Sequence, residues 1–251
     1  MTVSRETDSQ PGFDTENPAI RLRTVCRQNG LSVTDAQVAQ LARFVDLLRE
    51  WNQKINLISR KSASEIWRNH ILHSISVLFM LELQKGSSVM DIGTGGGLPG
   101  IPLKILRPDL AITLVDSIQK KVKAVETIMN ELKLVGIEAL CARVEDLPKR
   151  KRLRASFDYT IARGVAPMKD LVRYSIPVLK PRTEQSREKS PQEEFQFIPP
   201  ALIAFKGGNV EDELKQVKEL KGVRSANVVN LTLKGSEQLI DLEKKLIVVQ
   251  F

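Results

Sequence analysis

Apolar residues recur at intervals of three and four in the first third of the chain, which is the spacing of amphipathic helices. The clearest stripe follows Thr34 and Asp35, either of which can cap the start of a helix. Its members are Val38, Leu41, Val45 and Leu48. A further helix is predicted from about residue 64 to residue 83. Helices therefore dominate this part of the chain.

A weaker helical stripe comes earlier and ends at Gly30. Ile20, Val25 and Cys26 share one rough face of it. The residues before it are polar, interrupted by proline and glycine, and without periodicity. We therefore predict a disordered tail over residues 1–18 and an N-terminal helical subdomain, or cap, over residues 19–84.

Short apolar strands alternate with helices from residue 85 onward. Strands are predicted at 89–92, 111–116, 137–141, 157–162 and 201–205, and helices near 100–106, 117–132 and 171–179. Such alternation is typical of a parallel sheet with helices on both faces. Residues 226–233 and 245–251 add two strands with little helix between them, which indicates an antiparallel hairpin at the sheet edge. The prediction is an α/β domain over residues 85–251 with seven strands.

The segment 182–200 breaks this alternation. It is rich in charged residues and contains Pro191, Pro199 and Pro200. Such a composition disfavours a packed element. We predict a flexible surface insertion between the fourth helix and the fifth strand.

Charge and cysteine content narrow the function classes. The formal net charge is +8, which favours polyanionic partners, nucleic acid ahead of acidic membrane, although a basic solvated surface explains it equally well. Cys26 and Cys141 are far apart and form no metal-ligand motif. No apolar signal core and no run of roughly 20 apolar residues is present. We expect a cytoplasmic monomer that does not enter a membrane.

A glycine-rich sequence, VMDIGTGGGLPG, carries the clearest chemistry. Gly93, Gly95 and Gly97 directly follow the first strand, where glycine lets the chain turn and a ligand approach, and the next helix points its N–H groups toward that ligand. Asp116 ends the second strand, where a carboxylate can accept the ribose hydroxyls of an adenosine. Ser117 can cap the helix that follows.

This pattern fits both S-adenosylmethionine (SAM) and nicotinamide cofactors, and it also occurs in tight turns without a ligand. Leu98 occupies the position of the third glycine in a dinucleotide fingerprint, which disfavours a dehydrogenase. Asp91, within the first strand, and the terminal hairpin both favour a SAM-dependent methyltransferase. The loop therefore indicates SAM as the cofactor.

Five segments then occur in a fixed order: NLISRKSASEIWRNHILHS, VMDIGTGGGLPGIPLKILRPD, LVDSIQKKV, ARVEDL and FDYTIARGVAP. Together they resemble the bacterial small-subunit ribosomal RNA guanine-N7 methyltransferases, the glucose-inhibited division protein B family. The resemblance covers roughly residues 41–179. It implies a Rossmann-like, class I SAM-dependent methyltransferase sheet with an N-terminal helical cap, and a partner that is 16S ribosomal RNA or the small ribosomal subunit.

The resemblance also implies roles for individual residues. Gly93 and Leu98 match the loop contacts to SAM, and Asp116 matches the acid on the ribose side. Val144 and Glu145 match the pair beside the adenine edge. Arg163 matches an arginine that borders the cofactor and substrate pocket, and the alternative for Glu145 and Arg163 is a solvated or ion-paired surface residue. With Gly95 and Gly97, these are the predicted cofactor-binding residues.

The chain departs from the family at one motif. The family often has Arg-His-x-x-Asp-Ser where this chain has Asn69, His70, Ile71, Leu72, His73 and Ser74. His70 is retained and is, with Arg163, a candidate for the substrate pocket. His73 replaces the acid, so any role of that acid is in doubt. The two histidines have no third metal ligand beside them, and we predict no metal site.

Methylation at guanine N7 needs no general base, because N7 carries a lone pair and no proton. We therefore assign no catalytic acid or base. Phosphate contacts are expected from basic runs, with a solvated face as the alternative: Arg60, Lys61, Arg68, Lys120, Lys121, Lys123 and residues 149–154. Two other functions remain open, a SAM-dependent methyltransferase of another substrate and a non-catalytic RNA- or ribosome-binding module.

Overall fold

The computed structural model describes residues 17–59, 65–182, 197–236 and 243–251. The predicted tail lies outside these residues apart from its last two positions. Most of the predicted insertion, residues 183–196, lies outside them as well, and so do Arg60 and Lys61. The boundaries of the tail, the helical subdomain and the insertion therefore stay predictions.

Five helical segments form the first part of the described chain: α1 (Pro18–Gln28), α2 (Asp35–Lys54), α3 (Trp67–Leu72, with π-helical geometry), α4 (His73–Ile75) and α5 (Val77–Met80). Of the two predicted caps, Thr34 is the one used. Its side chain accepts from the backbone N–H of Gln37, whose side chain accepts from the Thr34 N–H in return. The predicted inward face of α1 is wrong at Ile20, which is 62% exposed, because Leu22 turns inward instead.

One seven-stranded sheet follows: β1 (Ser88–Ile92), β2 (Ala111–Asp116), β3 (Ile137–Cys141), β4 (Tyr159–Arg163), β5 (Ala201–Gly207), β6 (Ser225–Asn230) and β7 (Lys244–Gln250). Their order across the sheet is β3-β2-β1-β4-β5-β7-β6. The first five strands are parallel, and β7 runs antiparallel to both β5 and β6. The predicted α/β class, the seven strands and the antiparallel edge hairpin are confirmed.

The helices between the strands are α6 (Gly100–Leu106), α7 (Gln119–Glu131), α8 (Met168–Ser175) and α9 (Glu211–Lys218), together with a 3₁₀ helix over Val144–Lys149. Both faces of the sheet are covered. Alternate strand residues such as Tyr159 and Ile161 belong to one hydrophobic core together with residues of α1 and α2, and their neighbours such as Ala162 belong to a second core together with residues of α8. The N-terminal helices thus share one hydrophobic core with one face of the sheet.

Local predictions are wrong in several places. Ser117 does not cap α7, because the N-cap position is Ile118 and no side chain caps the helix; the Asp116 carboxylate accepts the backbone N–H of Ile118 at 2.9 Å. The fourth strand begins at Tyr159, since Phe157 makes only an isolated bridge to Leu179. Helix α9, which starts with three acidic residues, was not predicted. Other local details differ from the predictions; for example, the helix predicted at 171–179 spans Met168–Ser175, and the strand predicted at 226–233 spans Ser225–Asn230. No helix in the described segments is long and apolar enough to cross a bilayer.

Candidate functional site

A cleft opens at the carboxyl ends of strands β1 to β4. The strand order reverses on either side of β1, and open α/β sheets bind ligands at such a switch point. We call it the strand-end cleft; its volume is about 360 Å³, within the roughly 300–1,000 Å³ of small-molecule sites. Its walls are formed by Ile92, Gly93, Val115, Asp116, Ser117, Ala142, Arg143, Val144, Glu145, Gly164, Val165, Ala166 and Tyr174.

The buried Asp91 carboxylate, on β1, holds the loop after this strand through two hydrogen bonds. One oxygen of the buried Asp91 carboxylate, Oδ2, accepts the Thr94 hydroxyl at 2.7 Å and the Gly100 N–H at 2.9 Å. The other oxygen, Oδ1, has no partner among the described residues. Burial raises the pKa of Asp91 to about 6, against the lowering effect of these hydrogen bonds. Asp91 therefore ties both ends of the loop to the strand.

Asp116 reaches the same loop from β2. Its Oδ2 accepts the backbone N–H of Gly95 at 3.0 Å, and its Oδ1 accepts that of Ile118 at 2.9 Å. The two bonds fix the carboxylate on the wall of the strand-end cleft. Each carboxylate oxygen has a further lone pair. The group can accept two hydroxyl donors from a ligand in the cleft.

Gly93 is required for its backbone and for the space it leaves. It adopts φ +69°, and a Cβ there would lie 2.6 Å from a methyl group of Val165. The loop thus passes too close to Val165, after β4, to carry a side chain at this position. Gly93 and Val165, which approach each other here, both line the strand-end cleft.

Val144 and Glu145 line the cleft from the start of the 3₁₀ helix after β3. The Glu145 carboxylate accepts the Tyr174 hydroxyl at 3.1 Å, and Tyr174 comes from α8. Sequence reasoning did not identify Tyr174, because nothing in its helix distinguishes it from a surface residue. The pair closes the side of the cleft that faces the predicted adenine position.

Two predicted loop contacts do not line the cleft. The Leu98 side chain is buried in the hydrophobic core, and its N–H donates to the Thr94 carbonyl at 2.9 Å. Gly97 sits in the turn with φ +85°, where a Cβ would meet Ile101. Gly95 acts on the cleft through Asp116. A direct contact of Leu98 or Gly97 with a cofactor stays a prediction.

Arg163, at the end of β4, reaches across to α3 and α4. Its guanidinium donates to the Ser74 hydroxyl at 3.3 Å, to the His70 carbonyl at 3.3 Å and to His70 Nδ1 at 2.6 Å. Because Nδ1 accepts, the His70 proton lies on Nε2. Arg163 and His70, the two residues predicted for a substrate pocket, are therefore brought together.

Both histidines are neutral. Burial lowers the pKa of His70 to about 3, and the nearby charges of Arg163 and Lys244 lower it further. Burial also holds the pKa of His73 well below its usual value, and its ring meets Phe205 edge to face with centroids 5.2 Å apart. Nε2 of each ring has no hydrogen-bond partner in the described chain. Neither imidazole supplies charge to the site.

These residues line a second space of about 680 Å³, which we call the basic cavity. Its walls are Ser59, Glu65, Arg68, Asn69, His70, His73, Arg163, Gly164, Phe205, Lys206, Gly207 and Lys244. Gly164 lines both this cavity and the strand-end cleft. Sequence reasoning identified Arg68, His70 and Arg163 but missed Lys206 and Lys244, which come from β5 and β7.

The donor set fits an adenosine-containing cofactor and gives no sign of a metal. The lining of the strand-end cleft includes the Asp116 carboxylate, which can accept ribose hydroxyls, the side-chain-free Gly93, and apolar side chains such as that of Val144. Within the described ranges, no three His, Cys, Asp or Glu side chains are grouped closely enough to hold a metal ion. The two other predicted basic runs do not line either space: Lys120, Lys121 and Lys123 lie on α7, and residues 149–154 include Lys149 and Arg152, which pair with Asp146 and Glu138, respectively.

Comparison with known proteins identifies relatives over most of the chain. Ribosomal RNA small subunit methyltransferase G of Moorella thermoacetica is 33% identical over 232 residues, which cover 91% of this chain and 88% of that protein. The protein of the same name from Chlorobaculum tepidum is 36% identical over 201 residues, 80% of this chain and 82% of its own.

Solved structures agree at the level of the fold. A protein from Corynebacterium glutamicum superposes with a TM-score of 0.52 at 16% identity and covers 93% of this chain and 97% of its own. A predicted O-methyltransferase from Agrobacterium tumefaciens gives a TM-score of 0.51 at 12% identity over 72% of this chain and 79% of its own. These likenesses concern the fold alone, and the predicted class I methyltransferase fold is confirmed. The predicted SAM cofactor is confirmed by the methyltransferase family that residues 37–197 match.

The family sequence profile described as rRNA small subunit methyltransferase G matches residues 37–197, more than half of the chain. The match includes the loop after β1, Asp116, the 3₁₀ helix and Arg163. The resemblance inferred from the ordered motifs is confirmed, and the chain belongs to the ribosomal RNA small subunit methyltransferase G family.

Proposed function

We propose that this protein transfers a methyl group from SAM to N7 of a guanine in the 16S RNA of the small ribosomal subunit. One observation carries the proposal. The strand-end cleft, which contains the Asp116 carboxylate, meets the basic cavity at Gly164. Gly164, which has no side chain, thus lines both the proposed cofactor site and the cationic cavity proposed for RNA.

Gly93, Asp116, Val144 and Glu145 would hold SAM in the strand-end cleft, with Gly95 and Gly97 shaping the loop. SAM supplies an electrophilic methyl group on a sulfonium centre. Asp116 would accept the ribose hydroxyls, and Val144 would pack on the adenine. Arg163 lines the basic cavity and not the strand-end cleft, next to Gly164, which lines both, so it would border the substrate.

The reaction requires orientation rather than proton transfer. Guanine N7 has no proton to remove, and the two histidines at the junction are neutral and engaged or buried. The site therefore needs only to hold N7 in line with the methyl group and to exclude water. Such orientation can contribute up to roughly 7–11 kcal/mol in favourable cases.

Access to N7 limits the substrate. In A-form RNA this atom lies in a deep, narrow groove that side chains do not enter. The target guanine is therefore unpaired, unstacked or exposed in an assembling particle. We also propose that the protein is cytoplasmic and monomeric. Residues 85–251 would form its SAM-binding domain.

Labelled SAM tests the proposal directly. Purified small subunits, RNA extracted from them and large subunits are incubated with the protein, and modified guanines are mapped by cleavage at 7-methylguanosine. We expect label at one guanine of the small-subunit RNA. Label only in the large subunit would contradict the proposal, and label only in small molecules or proteins would assign another substrate. SAM binding absent by calorimetry would favour a non-catalytic RNA-binding module.

A further inference from the structure

Two cations in the basic cavity form no ion pair or hydrogen bond with an acidic side chain of the described chain. Arg163 donates only to uncharged acceptors: the carbonyls of Asn69 and His70, the Ser74 hydroxyl and His70 Nδ1. Lys244, at the start of β7, makes no hydrogen bond or ion pair through its ammonium group with the described residues. Both side chains are partly buried.

The remaining charges of the cavity are already paired. Arg68 forms an ion pair with Glu65, the one acidic residue among the described walls of the cavity. Lys206 pairs with Glu213 at 2.8 Å. His70 and His73 are neutral. Arg163 and Lys244 therefore remain as two positive charges without an ion-paired acid in the cavity, although the buried Asp91 carboxylate outside the cavity attracts Arg163 and raises its pKa.

Holding these two charges together is unfavourable without a counter-ion. Burial lowers the pKa of Arg163 to about 10, and it lowers the pKa of Lys244, which the charge of Arg163 lowers further. The repulsion between like charges that are partly removed from water decreases when an anion binds between them. The arrangement indicates an anion site.

We propose that Lys244, together with Arg163, binds a phosphodiester of the substrate RNA in the basic cavity. The inference rests on the proposed function, since the anion is assigned to RNA. RNA is favoured over the carboxylate of the cofactor because Lys244 does not line the strand-end cleft. A phosphate held here would anchor the chain beside Gly164, where the base must enter.

Lys244→Gln tests the assignment, and Lys245→Gln is its matched control. Both remove one charge from β7, but neighbouring strand residues point to opposite faces, and Lys245 does not line the basic cavity. Binding of small subunits, and of RNA extracted from them, is measured over a range of salt concentrations with saturating S-adenosylhomocysteine. Calorimetry measures the affinity for S-adenosylhomocysteine itself.

We expect Lys244→Gln to weaken RNA binding roughly tenfold more than Lys245→Gln does. The slope of log affinity against log salt is negative, and its magnitude should decrease by about 0.7–0.9, the value for one phosphate contact. Equal effects of the two variants on affinity and slope would overturn the proposal. So would a loss confined to S-adenosylhomocysteine, which would assign the anion site to the cofactor.

A failure of the proposed function would be detected separately, by the label-transfer assay on the unmodified protein. If the unmodified protein transfers no label to small-subunit RNA, the proposed reaction is wrong whatever the variants do. If label transfer is normal but Lys244→Gln binds RNA like Lys245→Gln, only the phosphate site is wrong.

Discussion

The backbone N–H of Gly95 donates to Oδ2 of Asp116 at 3.0 Å, and this bond joins the loop after β1 to the end of β2. The same carboxylate receives the Ile118 N–H on its other oxygen. Two hydrogen bonds thus position the Asp116 carboxylate before any ligand binds. A ligand that binds to a preorganised acceptor loses less free energy to the ordering of that side chain than it would with a mobile one.

Replacing Asp116 by alanine should weaken SAM binding by roughly tenfold to hundredfold, because the ribose loses a charged acceptor. Isothermal calorimetry with SAM measures the change. Asp146→Ala is the control, since Asp146 is a nearby acid that pairs with Lys149 outside the cleft. Equal affinity of the two variants would show that the ribose lies elsewhere.

Gly93→Ala should both destabilise the protein and obstruct the cleft. The left-handed backbone conformation costs a residue with a Cβ roughly 1–2 kcal/mol, and the added methyl group would lie 2.6 Å from Val165. We expect a lower free energy of unfolding in urea and a weaker affinity for SAM.

Gly86→Ala separates the two effects. Gly86 has φ +74°, and a Cβ there would meet no atom within 4 Å. This variant should lose a similar free energy from its backbone and keep its affinity for SAM. A loss of affinity as large as that of Gly93→Ala would mean that backbone strain alone, and not the contact with Val165, disturbs the site.

Asp91 should make stability depend on pH. Burial raises its pKa from 3.8 to about 6 in the folded protein, so the folded state holds this proton more tightly than the unfolded chain. The stability contributed by the neutral carboxyl is complete below about pH 4 and is lost as the pH rises to about 6.

Asp91→Asn, which is neutral at every pH, isolates that effect. The stability of the variant relative to the unmodified protein should increase between pH 4 and pH 6, by up to roughly 3 kcal/mol, and stay constant above. Urea unfolding at a series of pH values measures the difference, in which the other titrating groups cancel. A difference that does not change with pH would place the carboxylate in a more polar environment than the structure gives it.

Neither histidine should titrate between pH 5 and pH 8. Burial and the charges of Arg163 and Lys244 lower the pKa of both rings, and for His70 the value is about 3. The chain has two histidines, so their ring signals are readily assigned by NMR. For His70 we also expect the proton on Nε2, because Nδ1 accepts from Arg163. A titration midpoint near 6.5 would contradict the buried contact.

Elements with strong local signals could be predicted from the sequence. Strand Ile137–Cys141 has the predicted bounds, because a short, mostly apolar run follows directly after Gly136. The glycine loop and Asp116 were predicted correctly as neighbours, since the carboxyl ends of adjacent parallel strands meet at one edge. Ser117 was predicted as a cap from its residue type, but the helix begins one residue later, with Ile118 at the N-cap and no side-chain cap.

Features that depend on distant parts of the chain could not be predicted. Tyr174 reaches Glu145, and Lys244 lies beside Arg163, only because the sheet brings these elements together. Helix α9 was missed because its short, highly charged sequence has one fully buried residue, Val217. The order of the last two strands likewise has no local signal.

That strand order determines how the sheet can be assembled. Strand β7 follows β6 in the chain but lies between β5 and β6. In the described part of the chain β6 pairs with β7 alone, so β6 is joined to the rest of the sheet only through β7. Since β7 also carries Lys244, the docking of this one strand on β5 both links β6 to the sheet and completes the wall of the basic cavity.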